Sequence, residues 1–118
     1  MKSANLEKLS PMIEQFMNDR DWDQFHSIKN LSMALSVEAS ELVEIFQWIT
    51  EEGSNNCISD PKIRNKVQAE LADIAVYLIR ILQKTDINLE EAIIQKMKLN
   101  AEKYPVESSK GSAKKYDE

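Results

Sequence analysis

Apolar residues recur at helical spacing along most of the chain. In residues 5–20, Leu6, Leu9, Ile13, Phe16 and Met17 fall on one side of a helix. Pro11 leaves its start open: either Ser10 caps a helix with Pro11 at its first position, or the helix begins near Asn5 with a distortion. Residues 19–26 break the pattern and read as a loop carrying Trp22 and Phe25. The pattern resumes over residues 28–52, where Leu31, Ala34, Leu42, Ile45 and Ile49 form one stripe. Gly53 is expected to stop this second helix, with a loop continuing to residue 60. Ser59 or Asp60 then caps a third helix with Pro61 at its first position. It runs to about residue 84 and is apolar nearly all round from Val67 to Leu82. Asn88, Leu89, Glu90 and Glu91 have the form of a capping box, opening a fourth helix that runs to about residue 104 and is ended by Pro105.

The elements predict an all-α fold, a four-helix antiparallel bundle in one domain over residues 1–105. A Ser/Lys-rich tail over residues 106–118 is expected to lie loosely on the surface or to be disordered. Composition agrees: 118 residues, 42% apolar, only two glycines and three prolines, and few alternating β-branched runs. A chain of this length buries roughly two-thirds of its unfolded surface. No apolar run approaches the roughly 18 residues of a membrane span, and the N-terminus has no signal-peptide pattern. The lone cysteine, Cys57, has no partner for an internal disulfide, which fits a reducing cytoplasm. A net charge of −5 argues against general nucleic-acid affinity. A small phosphate ligand would instead need local cations, and these come late: Lys96, Lys98, Lys103, Lys110, Lys114 and Lys115.

Two carboxylate pairs change the picture. Glu38 and Glu41, then Glu70 and Asp73, each stand three residues apart in apolar, helix-forming surroundings, and so share a helix face. At 100° per residue Glu38 falls within about 40° of Leu31, Ala34, Leu42, Ile45 and Ile49, on the apolar stripe rather than the solvated face. Glu41 lies about 60° to one side, still able to point inward. An antiparallel return of the third helix would bring four acidic groups together across one seam. Burying such a group unpaired costs several kcal/mol or forces protonation. A divalent cation is the simplest remedy, and all-oxygen anionic ligands suit Mg²⁺ or Mn²⁺ better than zinc.

Other polar and aromatic positions read two ways. Trp22 plugs the end of the bundle or stacks on a flat ligand. His26, the one histidine, is a structural hydrogen-bonder or a site residue. Glu44 is a surface charge or a support for the acidic cluster. Trp48, off the main stripe, is free to line a pocket. Lys66, Glu70, Asp73, Tyr77 and Arg80 form a polar seam on an otherwise apolar helix, an expensive arrangement unless it lines a site. Tyr77 is a ligand contact or a core tyrosine with a satisfied hydroxyl. Lys96, Asn100 and Lys103 make one polar strip on the fourth helix.

With these residues on the page, the chain resembles the MazG-like, all-α nucleoside triphosphate pyrophosphohydrolases. The resemblance rests on Glu38-x-x-Glu41 with Glu70-x-x-Asp73, on Trp22, Phe25 and His26, on Phe46-Gln47-Trp48, and on Lys96, Asn100 and Lys103-Tyr104-Pro105. It looks closest to the single-domain branch that includes the dCTP pyrophosphatases. It departs at Ser27, Ile28 and Lys29, where relatives often carry a Pro-Arg pair after the histidine. The resemblance implies a bundle that assembles as a homodimer or a dimer of dimers, with Mg²⁺, or Mn²⁺ in its place, held by Glu38, Glu41, Glu70 and Asp73. It implies catalysis at those four carboxylates, with Trp22, His26, Trp48 and Tyr77 around base and sugar. Lys96, Asn100 and Lys103 would hold phosphate oxygens. The implied reaction cleaves a nucleoside triphosphate to its monophosphate and pyrophosphate in nucleotide-pool sanitation, with dCTP or a modified pyrimidine deoxynucleotide as the expected substrate. Two alternatives stay open: a related pyrophosphohydrolase acting on another nucleotide such as phosphoribosyl-ATP, and a non-catalytic helical oligomerisation module whose carboxylates only form salt bridges.

Overall fold

Six α-helices and two 3-10 turns, with no strand, make up residues 1–115, the part of the chain that the computed structural model describes. Four helices are long: α1 (Leu6–Asp19), α2 (Ile28–Phe46), α4 (Pro61–Thr85) and α5 (Leu89–Lys103). Two are short: α3 (Glu51–Asn56) and α6 (Val106–Ser109). The chain divides into two compact units, residues 1–85 and residues from 86 onward.

Caps explain the boundaries. Asn5 Oδ1 accepts from the Lys8 amide at 3.2 Å and starts α1. Pro11 therefore lies inside α1 rather than at its first position, and the Glu7 carbonyl loses its intrahelical donor. Ser10 does other work: its carbonyl and hydroxyl accept from Gln83 Nε2 at 2.9 and 2.8 Å. The second helix stops earlier than its pattern predicts, at Phe46 instead of residue 52. Thr50 takes a cap of its own, its hydroxyl accepting from the Gly53 amide at 3.0 Å, with Glu51 and Glu52 in the first turn of α3. Gly53 is thus inside a helix, not its terminator. A Cβ there would stand 2.7 Å from Ile49 Cγ2, so glycine permits the tight turn between α2 and α3. Asp60 caps α4 through the Lys62 amide, and Asn88 caps α5 through the Glu91 amide, each at 3.0 Å. The first four residues after Pro105 form α6, where a loose tail was expected. Residues 116–118 of that tail lie outside the described residues.

Within the first unit α2 packs along α4. The pairing runs in opposite directions: His26 meets Arg80, Glu38 gathers with Glu70, and Glu44 shares a recess with Lys66. Each step forward on α2 matches a step back on α4. The helix α1 crosses α4 the same way, with Ser10 on Gln83 and Met17 near Val76. Among the described residues near-complete burial is confined to Met17, Leu31, Ile79 and, unusually, Arg80.

The turn between α1 and α2 is more ordered than a plain loop. The Trp22 amide donates to the Met17 carbonyl and the Asp21 amide to the Asn18 carbonyl, both at 3.0 Å. Asp21 is left-handed, with φ of 53°. These are the two bonds and the residue conformation of a Schellman helix end, with aspartate where glycine is usual. Gln24 Nε2 supports it by donating to the Asp21 carbonyl and carboxylate. A 3-10 turn, Asp23–Phe25, follows and leads to Ser27, which caps α2.

Candidate functional site

Glu38 and Glu41 sit one turn apart on α2, and Glu70 faces them from α4. One oxygen from each lies within 4.8 Å of the others. Each is half-buried, and Glu38 Oε2 and Glu70 Oε2 are shut off from solvent with no hydrogen-bond partner. Burial is the main force raising the Glu38 pKa. The Glu70 and Glu41 carboxylates pressed against it and the charge of Asp73 add to the effect, and the group is pushed up to about 7. Asp73, one turn beyond Glu70, acts on Glu38 by its charge but stands outside the 4.8 Å cluster and is exposed.

The donor set suits a hard divalent cation. Buried carboxylate oxygens without donors are costly as they stand, and a cation would satisfy two at once. No histidine or thiol belongs to the cluster, which counts against zinc and against a Glu-x-x-His di-iron bundle. Glu41 and Glu70 open on a recess of about 550 Å³, lined also by Glu44, Ile45, Lys66 and Ala69.

Asp73 borders a second, mainly apolar cavity of about 360 Å³ between α1 and α4, whose lining includes Phe16, Met17, Trp22, Val76 and Tyr77. Trp22 meets Phe16 edge-on, ring centroids 5.7 Å apart, and the Arg20 guanidinium lies 3.7 Å over the other ring. The wall from α1 was not foreseen as part of a site. Its only sequence signal is Met12 and Phe16, four residues apart beside a tryptophan turn.

His26 is committed elsewhere. Its Nδ1 accepts from Arg80 Nε at 3.2 Å. Burial, followed by the charges of Arg80 and Lys84, holds it below its ordinary 6.5, in keeping with a neutral ring that accepts at Nδ1. Trp48 projects from the end of α2, 89% exposed, and is not among the residues lining the Trp22 cavity. In the second unit α5 carries Lys96 and Lys103, both exposed, and the half-buried Asn100, whose carbonyl accepts from the Tyr104 amide at 2.8 Å.

The described residues are all-helical, with a carboxylate cluster gathered across an antiparallel helix pair. The chain matches the MazG-like family over residues 33–118 and belongs to that family. Among curated proteins, dCTP pyrophosphatase 1 of Bos taurus is 39% identical over 89 residues, covering 75% of this chain and 53% of that protein. The protein of the same name from Homo sapiens is 35% identical over 89 residues, 75% of this chain and 52% of that one. The chain thus spans about half the length of these curated relatives. A pyrophosphatase crystal structure from Archaeoglobus fulgidus matches with a TM-score of 0.79 at 33% identity, covering 89% of this chain and 96% of that one.

Proposed function

We propose that the chain is a Mg²⁺-dependent nucleoside triphosphate pyrophosphohydrolase that acts on dCTP or a modified pyrimidine deoxynucleotide in sanitation of the nucleotide pool. The observation that carries this reading is the pair of buried, unpartnered oxygens on Glu38 and Glu70 in a MazG-like chain. The names of the matched relatives support the substrate class.

In this reading Glu38, Glu41 and Glu70, with Asp73 one turn further along α4, would hold Mg²⁺ or Mn²⁺, which would supply positive charge against the phosphate oxygens. The chain's own residues do the rest. Trp22 and Tyr77 line an apolar slot beside Asp73, suited to a flat base rather than a charged one. Trp48, exposed at the end of α2, is assigned to the surroundings of base and sugar, while His26 stays with Arg80. A water oxygen adds to the α-phosphorus as the bridging bond to the β-phosphate breaks. Pyrophosphate leaves, and the water's proton passes to a carboxylate of the cluster.

Exposed Met33, Val37 and Val43 on α2 support assembly as a homodimer or dimer of dimers. The unpaired Cys57 supports a cytoplasmic location. Among the described residues no helix is long and apolar enough to cross a membrane. The test is pyrophosphate release from a panel of deoxynucleoside triphosphates with Mg²⁺. Turnover is expected to be highest with dCTP or a 5-substituted analogue; a folded protein that turns over none of them refutes the proposal.

A further inference from the structure

Among the described residues Arg80 is the one charged side chain buried almost completely, at 2% exposure. A guanidinium in that position must be matched on every side or it destabilises the fold. It is matched: Nε donates to His26 Nδ1 at 3.2 Å, Nη1 to Gln83 Oε1 at 2.7 Å, and Nη2 to Asp23 Oδ1 at 2.9 Å. Lys84 adds a second cation to the same Asp23 oxygen. The two long-range contacts fall at Asp23 and His26, which bracket the 3-10 turn between α1 and α2. The residue immediately before that turn is Trp22.

We infer that Arg80 is a positioning residue, which sets the wall of the Trp22 cavity by clamping the turn that carries the indole. Trp22 is held from two directions. Behind it, its amide is tied to Met17 by the Schellman helix end. Ahead of it, Asp23 and His26 are pinned to α4 through Arg80. The same helix supplies the opposite wall, Asp73, Val76 and Tyr77, from the two turns before Arg80. One rigid helix therefore fixes both the opposite wall and the anchor of the turn, so the slot width follows the reach of the guanidinium, with Lys84 as a second tie at Asp23. A planar fork with several donors can hold two acceptors at once, whereas a lysine ammonium at the end of a flexible stem cannot reproduce that geometry. The inference rests on the proposed function only in taking the slot as a base site.

Emission is read on the full chain with Trp48→Phe as background, so that Trp22 is the sole tryptophan, and KM on the full chain with Trp48 intact. Arg80→Met should shift Trp22 emission to the red and increase its quenching by acrylamide. It should raise KM for dCTP by about tenfold, the scale of a weakened base–aromatic stack, while kcat falls by less than about threefold. Arg80→Lys should recover only part of the emission shift and of KM. Should Arg80→Met fail to fold, Asp23→Ala decides, because Asp23 is 55% exposed and lies outside the core. A folded Asp23→Ala protein with unchanged Trp22 emission and unchanged KM overturns the inference, as does a lowered melting temperature with both readouts unmoved. The emission readout needs no turnover. If no nucleotide is hydrolysed yet the emission shifts, the proposed function fails and the clamp stands.

Discussion

Two clusters of charge lie along α4, about three turns apart, and they are finished to opposite degrees. Around Arg80 the guanidinium nitrogens each find an acceptor: His26 and Asp23 from far along the chain, and Gln83 on the same helix. Around Glu70 the reverse holds, with three carboxylates crowded together and two sealed oxygens that no donor reaches. Both arrangements cost desolvation. In the first the protein offsets that cost itself; in the second no described residue supplies a donor. The contrast separates a buried charge answered by the fold from carboxylates left unanswered by it, and burial alone would not have distinguished them.

The sharpest way to break this comparison is to neutralise one carboxylate. Glu38→Gln should lower Mg²⁺-dependent pyrophosphate release by at least about a hundredfold, as loss of a group acting on developing charge does. The metal-free melting temperature should stay level or rise, because a repulsion is removed. A loss of stability matching the loss of activity would place Glu38 with the architectural charges.

Arg80→Met should show the opposite profile. Losing charged hydrogen bonds in the interior costs about 2 kcal/mol, and for a domain of this size that is a fall in melting temperature of roughly 8–15 °C, with or without Mg²⁺. A denaturation series in EDTA and in Mg²⁺ checks it.

The pH response sharpens the contrast next. Glu38 has a folded pKa of about 7 against an ordinary 4.5, so between these values the folded state holds a proton that the unfolded chain has lost. Stability from this group is complete below 4.5 and disappears as pH rises through 7. In EDTA the melting temperature should therefore carry a component that falls from pH 5 to pH 8. Stabilisation by Mg²⁺ should grow over the same range, because the proton must leave before the carboxylate can bind a cation. Both trends should flatten in Glu38→Gln.

The smallest effect is expected at Asp21, where φ of 53° strains an ordinary residue. Asp21→Gly should change stability by less than about 1 kcal/mol, relief of the left-handed backbone offsetting lost chain stiffness and the Gln24 contact. A large loss would show that the Gln24 contact, not the backbone, holds the turn.

Much of the fold was legible as pattern. The helical periodicity located α1, α2, α4 and α5, because each buries one stripe and the spacing of that stripe is a local property. The errors lie where caps compete. Apolar periodicity continued through Trp48 and Ile49, yet Thr50 offered the backbone a new start and α2 ended at Phe46. Pro11 left two starts open, and the Asn5 cap decides for the earlier one, with Pro11 inside α1. At the site, the placement of Glu38 on an apolar stripe pointed inward, and the structure gathers it with Glu41 and Glu70. Asp73 borders the neighbouring cavity instead of joining the 4.8 Å cluster, a difference of side-chain reach that spacing does not carry. Arg80 was visible only as one member of a polar seam; its partners stand more than fifty residues away in the chain.

By itself the sequence determined that the chain is helical, where most helices begin, and which acidic residues share a face, since all of these follow from contacts within a few residues. The tertiary structure decided which buried charges are answered and which are not. That depends on distances between helices far apart in sequence, and nothing in a local pattern records whether an oxygen on α2 finds a donor on α4.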